Sequence, residues 1–226
     1  MSDLLNKNLN NVQQETDLFG NKIEKLSMKD RIGFLPISIW QPDWEKVKQL
    51  KNVVGDNAAT RGESSYGFQD TQSIFNPHLA QMILSAYCPP QAKIFDPFGG
   101  GGTRGFIATA MGHRYLGVEL RQNEVDRIKA QQVSLNMPFD IVCGDSRKYQ
   151  PDKASFDFCY TCPPYYNLEI YSDLPDDLSA MPRYGDFLRE LRESVRRSFE
   201  ALRDNTLSVW VVGNFRDKDV SLIHFN

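Results

Sequence analysis

Four consecutive glycines, Gly99–Gly102, stand between a short apolar run and a helix predicted over Arg104–Met111. The apolar run ends in the acid Asp96. Glycine tolerates positive φ angles and lets a ligand approach the backbone closely. The first N–H groups of a helix have no intrahelical partners, so they point out of its N-terminus. The segment therefore predicts a loop that wraps a nucleotide-like molecule at the carboxyl end of a strand.

The choice of nucleotide depends on the acids around this loop. Gly100, Gly102 and Gly105 satisfy the Gly-x-Gly-x-x-Gly pattern of dinucleotide-binding folds. Glu119 ends the second predicted strand, where a carboxylate can accept hydrogen bonds from both ribose hydroxyls of an adenosine. Asp96 lies where a dinucleotide would bring its pyrophosphate, so its charge favours a cationic ligand such as S-adenosylmethionine. The alternative is that Asp96 is a structural acid that ties the loop together.

A second cluster of residues that could take part in a reaction follows the predicted strand Phe156–Thr161. It consists of Cys162, Pro163, Pro164 and Tyr165. Two successive prolines fix the backbone, remove two donors and prevent the strand from continuing. Such a turn leaves carbonyl groups free to accept a hydrogen bond from an amino group, and a tyrosine beside it can stack on a flat ring. This combination suits methylation of an exocyclic amine on a base, which needs no covalent intermediate.

An alternation of strand and helix patterns positions both clusters, and it predicts an α/β fold with a Rossmann-like, doubly wound, mostly parallel sheet. Asp145 follows the third strand, where it is placed to meet the edge of an adenine. A helix begins at Asn76 and Pro77, which suit an N-cap and a first turn. The predicted strands are Lys93–Asp96, Arg114–Leu120, Phe139–Gly144, Phe156–Thr161 and a buried Leu207–Val212, and the other predicted helices are Trp44–Val53, Asn123–Leu135 and Tyr184–Leu202.

The long helix carries apolar residues at helical spacing, which predicts one buried stripe with arginines and glutamates on the opposite face. The stripe comprises Tyr184, Phe187, Leu188, Leu191, Val195, Phe199 and Leu202. The chain stops 14 residues after the fifth predicted strand, at Asn226. A sheet of five strands follows from this pattern.

Composition restricts the possible functions less than the motifs do. The formal charge of the 226 residues is −3, so binding to nucleic acid would require a local basic surface. No apolar run approaches the roughly 20 residues that span a bilayer, and Met1–Asn11 is too polar for a secretory signal. Cytoplasmic residence is the expectation, with four cysteines as buried thiols rather than disulfides.

Two other roles for the cysteines are open. Cys159 and Cys162 form a Cys-x-x-Cys pair, but a single pair does not make a zinc site, and its position in a strand pattern disfavours a redox motif. A nucleophilic Cys162, as in cytosine-C5 methylation, would need a thiolate next to the base. Those enzymes place a proline before the cysteine, whereas Thr161 stands there in this chain.

Together the two motifs resemble the DNA amino-methyltransferases that act on adenine-N6 or cytosine-N4. The resemblance covers about residues 72–217, and Cys162–Ser172 is similar to phage-encoded members. It implies an arm at 1–72, a class I methyltransferase domain at 73–226 and DNA as the substrate, with no membrane. The implied catalytic residues are Cys162, Pro163, Pro164 and Tyr165, which hold a flipped base. The implied S-adenosylmethionine-binding residues are Asn76, Pro77, Asp96, Phe98, Gly99, Gly100, Gly102, Thr103, Glu119, Asp145 and Ser146.

The chain departs from the family pattern in ways that leave alternatives open. Cys162 stands where the family has Asp, Asn or Ser, and a thiol is a poor acceptor. Its size is nearest to Ser, which points to cytosine-N4. The family usually continues through two more strands, and no target-recognition domain is evident. Methylation of RNA or of a protein amide, and a non-catalytic binder of cofactor or nucleic acid, are the alternatives; the oligomeric state is open.

Overall fold

The computed structural model describes residues 42–54, 75–213, 215–216 and 222–223. Its centre is a five-stranded sheet in the order β3-β2-β1-β4-β5, in which every neighbouring pair is parallel. This arrangement confirms the α/β fold and the parallel sheet expected from the sequence. The strands are β1 (Lys93–Asp96), β2 (Arg114–Glu119), β3 (Asp140–Cys143), β4 (Phe156–Thr161) and β5 (Leu202–Trp210).

Helices connect these strands, and side-chain caps explain where two of them begin. The Asp43 side chain accepts from the N–H groups of Glu45 and Lys46, and the Asn76 side chain caps the next helix in the same way. The helices are α1 (Trp44–Val53), α2 (Pro77–Tyr87), α3 (Thr103–Ala110), α4 (Gln122–Leu135) and α5 (Tyr184–Ala201), with a 3₁₀ turn at Leu178–Ala180 and a separate antiparallel pair β6 (Phe215–Arg216) and β7 (Leu222–Ile223).

The order of the strands reverses at β1, and this reversal decides where the two motifs meet. From β1 the chain builds outward through β2 to β3, and then returns to place β4 on the other side of β1. Ile94 and Phe95 of β1 are paired with Phe158 and Cys159 of β4. The loops that follow β1 and β4 therefore flank the crevice at the switch point, where α/β sheets bind their ligands.

Aromatic and aliphatic side chains of the central strands form the core. Phe95, Val118, Phe156 and Ala201 make one buried cluster, and Phe95 packs against Phe156 at 5.3 Å between ring centroids. Strands buried on both faces are typical of parallel sheets covered by helices. The core thus lies directly beneath the carboxyl edge on which the site is built.

The buried face of α5 differs from the sequence expectation. Phe187, Leu191, Ser194, Ser198 and Ala201 are buried, whereas the predicted core residues Leu188, Val195 and Phe199 are exposed by 41%, 43% and 78%. The two serines satisfy their hydroxyls inside the core, since Ser194 bonds Ser146 and Ser198 donates to the Ser194 carbonyl. Small hydroxyl residues therefore let α5 approach the sheet, which the apolar pattern did not indicate.

The fifth strand was also expected to be buried, and this expectation was wrong. It begins directly after α5 at Leu202, and as an edge strand it leaves Leu207 53% exposed. All four cysteines are free, as expected, but Cys143 on the opposite edge strand is exposed rather than buried. Among the described residues, no helix has the length and apolar content needed to cross a membrane. The boundary predicted at residue 72 lies outside the described residues.

We predict that Gly105→Ala destabilises the protein by about 1–3 kcal/mol, because overpacking strains a close-packed core. A Cβ atom at Gly105 would lie 2.6 Å from Phe139 Cε2 and 2.9 Å from Tyr115 Cε1. Thermal unfolding followed by circular dichroism measures the effect.

Gly185→Ala in α5 is the matched control, because nothing lies within 4 Å of a Cβ there. It should raise stability by about 0.5–1 kcal/mol through helix propensity. Equal effects of the two substitutions would contradict the packing argument.

Candidate active site at the switch point of the sheet

The carboxylate of Asp96, at the end of β1, is fully buried and accepts four hydrogen bonds. Oδ1 accepts from Phe98 N at 3.0 Å and from Thr161 Oγ1 at 2.6 Å. Oδ2 accepts from Arg104 Nε at 2.7 Å and from the Tyr115 hydroxyl at 2.5 Å. These bonds tie the glycine loop to β2 and β4, which is the structural role weighed above as an alternative. Direct contact of Asp96 with a cofactor stays a prediction.

Arg104 compensates the charge of Asp96 from inside the protein. Burial works against its charged form, but Asp96 more than offsets this and raises the pKa of the guanidinium. Nη2 also donates to the Phe98 carbonyl, and the guanidinium lies 4.9 Å from the centre of the Phe75 ring. Because Arg104 pairs with Asp96, the preference of this loop for a cationic ligand cannot come from the charge of Asp96 alone.

The glycine loop has the backbone geometry that its composition predicts. Gly100 and Gly102 have φ angles of 53° and 79°, in the left-handed region that favours glycine. Gly102 is the N-cap of α3 and supplies no capping side chain. In the described part of the chain, the first N–H groups of α3 have no side-chain cap, and this helix follows the loop at the end of β1. From α4, Arg127 Nη2 donates to the Gly101 carbonyl at 2.9 Å and supports the loop from outside.

Glu119 ends β2 next to this loop, and one of its two carboxylate oxygens is engaged. Oε1 accepts from the backbone N of Arg121 at 3.0 Å and from its Nε at 2.8 Å. Among the described residues, Oε2 has no hydrogen-bond partner. The guanidinium of Arg121 also lies 5.7 Å from the centre of the Tyr171 ring. The free oxygen is what a ribose diol would need.

Asp145 and Ser146, after β3, use their side chains within the protein. Arg147 donates to both oxygens of Asp145, through Nε at 2.8 Å and Nη2 at 2.7 Å. Burial opposes ionisation of Asp145, but these bonds lower the pKa of its carboxyl. Ser146 bonds Ser194 of α5 at 2.8 Å. Contact of Asp145 with an adenine and of Ser146 with the cofactor stay predictions, and they would require these bonds to be shared or exchanged.

The Pro-Pro corner follows β4, and the hydroxyl of its Tyr165 has two hydrogen-bond partners. Its hydroxyl hydrogen-bonds the Cys162 thiol and accepts from the backbone N–H of Gly213. Burial raises the pKa of the Cys162 thiol, although Arg104 works in the opposite direction. A protonated thiol at neutral pH does not favour the nucleophilic role. Pro163 is buried, whereas Pro164 and Tyr165 are half-buried and border the crevice.

The two motifs lie side by side. The bond from Thr161 to Asp96 joins the residue before the corner to the residue before the glycines, and Phe98 of the loop packs against Trp210 of β5 at 6.2 Å. Asn76 and Pro77 begin α2 next to Phe75, on which Arg104 lies. The structure thus brings every predicted site residue to the carboxyl edge of the sheet.

Sequence reasoning missed residues that organise the site. Arg121 and Arg147 each stand two positions after a predicted binding acid, so a repeated acid-x-Arg spacing was the available signal. Arg104 stands two positions after the last glycine of the loop, but no local pattern indicates its pairing with Asp96. Trp210 and Gly213 gave no signal, because their contacts with Phe98 and Tyr165 depend on the placement of β5 next to β4.

A protein-family model described as DNA methylase matches residues 4–130, more than half of the 226-residue chain. The match includes the glycine loop and Glu119 and ends before the Pro-Pro corner. No curated protein sequence matches the chain significantly.

Solved structures similar to this chain include several methyltransferases. TrmN from Thermus thermophilus is 16% identical over 62% of this chain and 39% of its own, with a TM-score of 0.48. The PH0226 protein from Pyrococcus horikoshii is 16% identical over 56% and 47%, with a TM-score of 0.42. The chain spans less than two thirds of the length of both. A TehB-like SAM-dependent methyltransferase from Corynebacterium glutamicum is 20% identical over 76% and 74%, with a TM-score of 0.44.

We predict that Arg104→Met costs about 3–5 kcal/mol of stability, because it leaves the buried Asp96 carboxylate without its cation. Urea unfolding followed by circular dichroism gives the change. The double variant Asp96→Asn/Arg104→Met removes both charges and should recover part of the loss. A single variant as stable as the wild type would show that this ion pair does not hold the loop.

We further predict that Cys162 reacts with iodoacetamide only at higher pH than an ordinary thiol. Burial raises its pKa, so the reactive thiolate forms above the usual midpoint of about 8.5. Peptide mass spectrometry separates Cys162 from the other cysteines, and a free cysteine peptide in the same mixture provides the reference. A midpoint at or below that of the reference peptide would contradict the burial argument.

Proposed function

The chain belongs to the DNA methylase family, and we propose that it transfers a methyl group from S-adenosylmethionine to adenine N6 or cytosine N4 in DNA. The observation that carries this proposal is the 2.6 Å bond from Thr161 to Asp96. It holds the glycine loop and the Pro-Pro corner on neighbouring strands, so a methyl donor in one faces an amine in the other.

The residues at the glycine loop fit S-adenosylmethionine. The first N–H groups of α3, which the Gly102 N-cap does not bind, suit the carboxylate of its methionine part. Oε2 of Glu119, which accepts no bond from a described residue, suits a ribose hydroxyl pair. Positive φ angles at Gly100 and Gly102 let the backbone follow a ligand closely. Phe98 borders the same crevice. When bound, this cofactor supplies an electrophilic methyl group.

The corner after β4 would hold the target amine. Because neither Pro163 nor Pro164 has an N–H group, their segment offers carbonyl acceptors to the exocyclic amine without competing donors. The protonated Cys162 thiol is a weak acceptor, so the backbone carbonyls take the larger share of this role. Tyr165 stacks on a base that has left the helix. Its hydroxyl also bonds Cys162 and Gly213.

Other features of the proposal follow from the substrate. Substrate DNA places the activity in the cytoplasm of a bacterium or of a phage-infected host. The likeness of Cys162–Ser172 to phage-encoded members supports such an origin. The small side chain of Cys162 favours cytosine N4 over adenine N6.

Tritiated S-adenosylmethionine with unmodified duplex DNA tests the proposal, and mass spectrometry of nucleosides identifies the methylated atom. We expect the DNA to be labelled. Label in RNA or protein alone, or cofactor binding without transfer to any substrate, would overturn the proposal.

Tyr165→Ala should lower transfer about 10- to 100-fold, because stacking on a base is worth about 1–3 kcal/mol. Binding of S-adenosylhomocysteine, measured by calorimetry, should not change. Tyr165→Phe is the matched control, since it keeps the ring and loses only the hydroxyl, and it should retain most of the activity. Undiminished turnover by Tyr165→Ala would contradict the stacking role.

A further inference from the structure

A loop that we call the strap, residues 167–182, leads away from the Pro-Pro corner. Its fold is held by internal hydrogen bonds: Asn167 N donates to the Ser179 carbonyl at 3.0 Å, and Tyr171 N donates to Ser179 Oγ at 3.2 Å. The buried Asp177 accepts from both the backbone N and the hydroxyl of Ser179. The strap therefore has a defined conformation that its own hydrogen bonds hold.

Side chains that follow β2 and β3 bind the strap. Arg147 Nη2 donates to Asp176 Oδ1 at 3.0 Å, and Lys148 Nζ donates to Asp176 Oδ2 at 2.8 Å. Arg121 lies over the Tyr171 ring. The strap thus begins beside the proposed base site. It contacts Arg121 and Arg147, which bind the proposed cofactor-binding acids Glu119 and Asp145 at the ends of β2 and β3.

Arg121 lies between these two regions. On one side, its backbone N and its Nε both bind Oε1 of Glu119. On the other side, its guanidinium is 5.7 Å from the Tyr171 ring centre, within the range of a cation–π contact. The Arg121 side chain is 13% exposed and that of Glu119 is 8% exposed, so solvent screens this pair weakly.

The two acid-x-Arg pairs differ in how many carboxylate oxygens the arginine binds. Arg147 occupies both oxygens of Asp145. Arg121 occupies one oxygen of Glu119 twice, and among the described residues Oε2 accepts no hydrogen bond. A carboxylate held in this way has already lost its rotational freedom, so a ligand that binds Oε2 does not bear that entropic cost.

We propose that Arg121 is a positioning residue that presents Oε2 of Glu119 to the ribose hydroxyls of the cofactor and couples this acid to the strap through Tyr171. The inference rests on the proposed function. Because coupling between two sites is reciprocal, a cofactor bound at Glu119 stabilises the strap, and the strap strengthens cofactor binding. Arg121 therefore links the base site and the cofactor site, in addition to the contact that Arg147 makes with both Asp145 and Asp176.

Calorimetry with S-adenosylhomocysteine and with its 2′-deoxyribose analogue tests the first half. Wild-type protein should prefer the ribose compound, and Arg121→Met should reduce that preference about tenfold, because Glu119 then keeps only the backbone bond to Oε1 and Oε2 is less well oriented. A merely structural loss would weaken both ligands equally and leave the preference unchanged, which would overturn the inference. Arg192→Met, on the exposed face of α5, is the control and should keep the wild-type preference.

Hydrogen exchange of the strap tests the second half with an independent variant, Tyr171→Leu. S-adenosylhomocysteine should slow exchange in peptides from residues 167–182 of the wild type, and this protection should be lost in Arg121→Met and in Tyr171→Leu. Equal protection in both variants would overturn the coupling. A wild-type protein that binds no S-adenosylhomocysteine would instead refute the proposed function, so the two failures are distinguishable.

Discussion

The buried carboxylate of Asp96 is the interaction on which the site depends. Taking a charge out of water is costly unless it is paired and hydrogen-bonded, and here Arg104, Tyr115 and Thr161 supply that compensation from α3, β2 and β4. The partners come from three elements, so the carboxylate holds the glycine loop against both neighbouring strands. The same bonds keep the Pro-Pro corner within reach of the loop.

Pairing of acids with nearby arginines organises the rest of the carboxyl edge. Glu119 and Asp145 are both followed at the second position by arginine, and the outcomes differ because the guanidinium geometry differs. Arg147 donates to both oxygens of Asp145, whereas the backbone N and Nε of Arg121 both donate to one oxygen of Glu119, and its guanidinium lies 5.7 Å from the Tyr171 ring centre. Of these two similar local sequences, only the one at Glu119 leaves a carboxylate oxygen without a hydrogen-bond donor among the residues that the structure describes.

Apolar residues of β5 and α5 are exposed among the residues that the structure describes. Strand β5 is an edge, and its Leu207 is exposed, as are Val195 and Phe199 on α5. Exposed strand edges are available for pairing. Val195 and Phe199 are exposed because the buried face of α5 carries the small residues Ser194, Ser198 and Ala201 beside Phe187 and Leu191. A stripe chosen by hydrophobicity alone misses such a face.

The sequence by itself determined the features that depend on neighbouring residues. Glycines with positive φ, the Asn76 cap and the strand-ending prolines act within a few positions, and the alternation of strand and helix patterns specifies a parallel sheet. Only the tertiary structure decided which carboxylates are hydrogen-bonded within the protein. The contact of Asp96 with Thr161 joins residues 65 positions apart, and the tether of Tyr165 at Gly213 needs β5 beside β4. These contacts follow from strand order and register, and no local pattern carries that information.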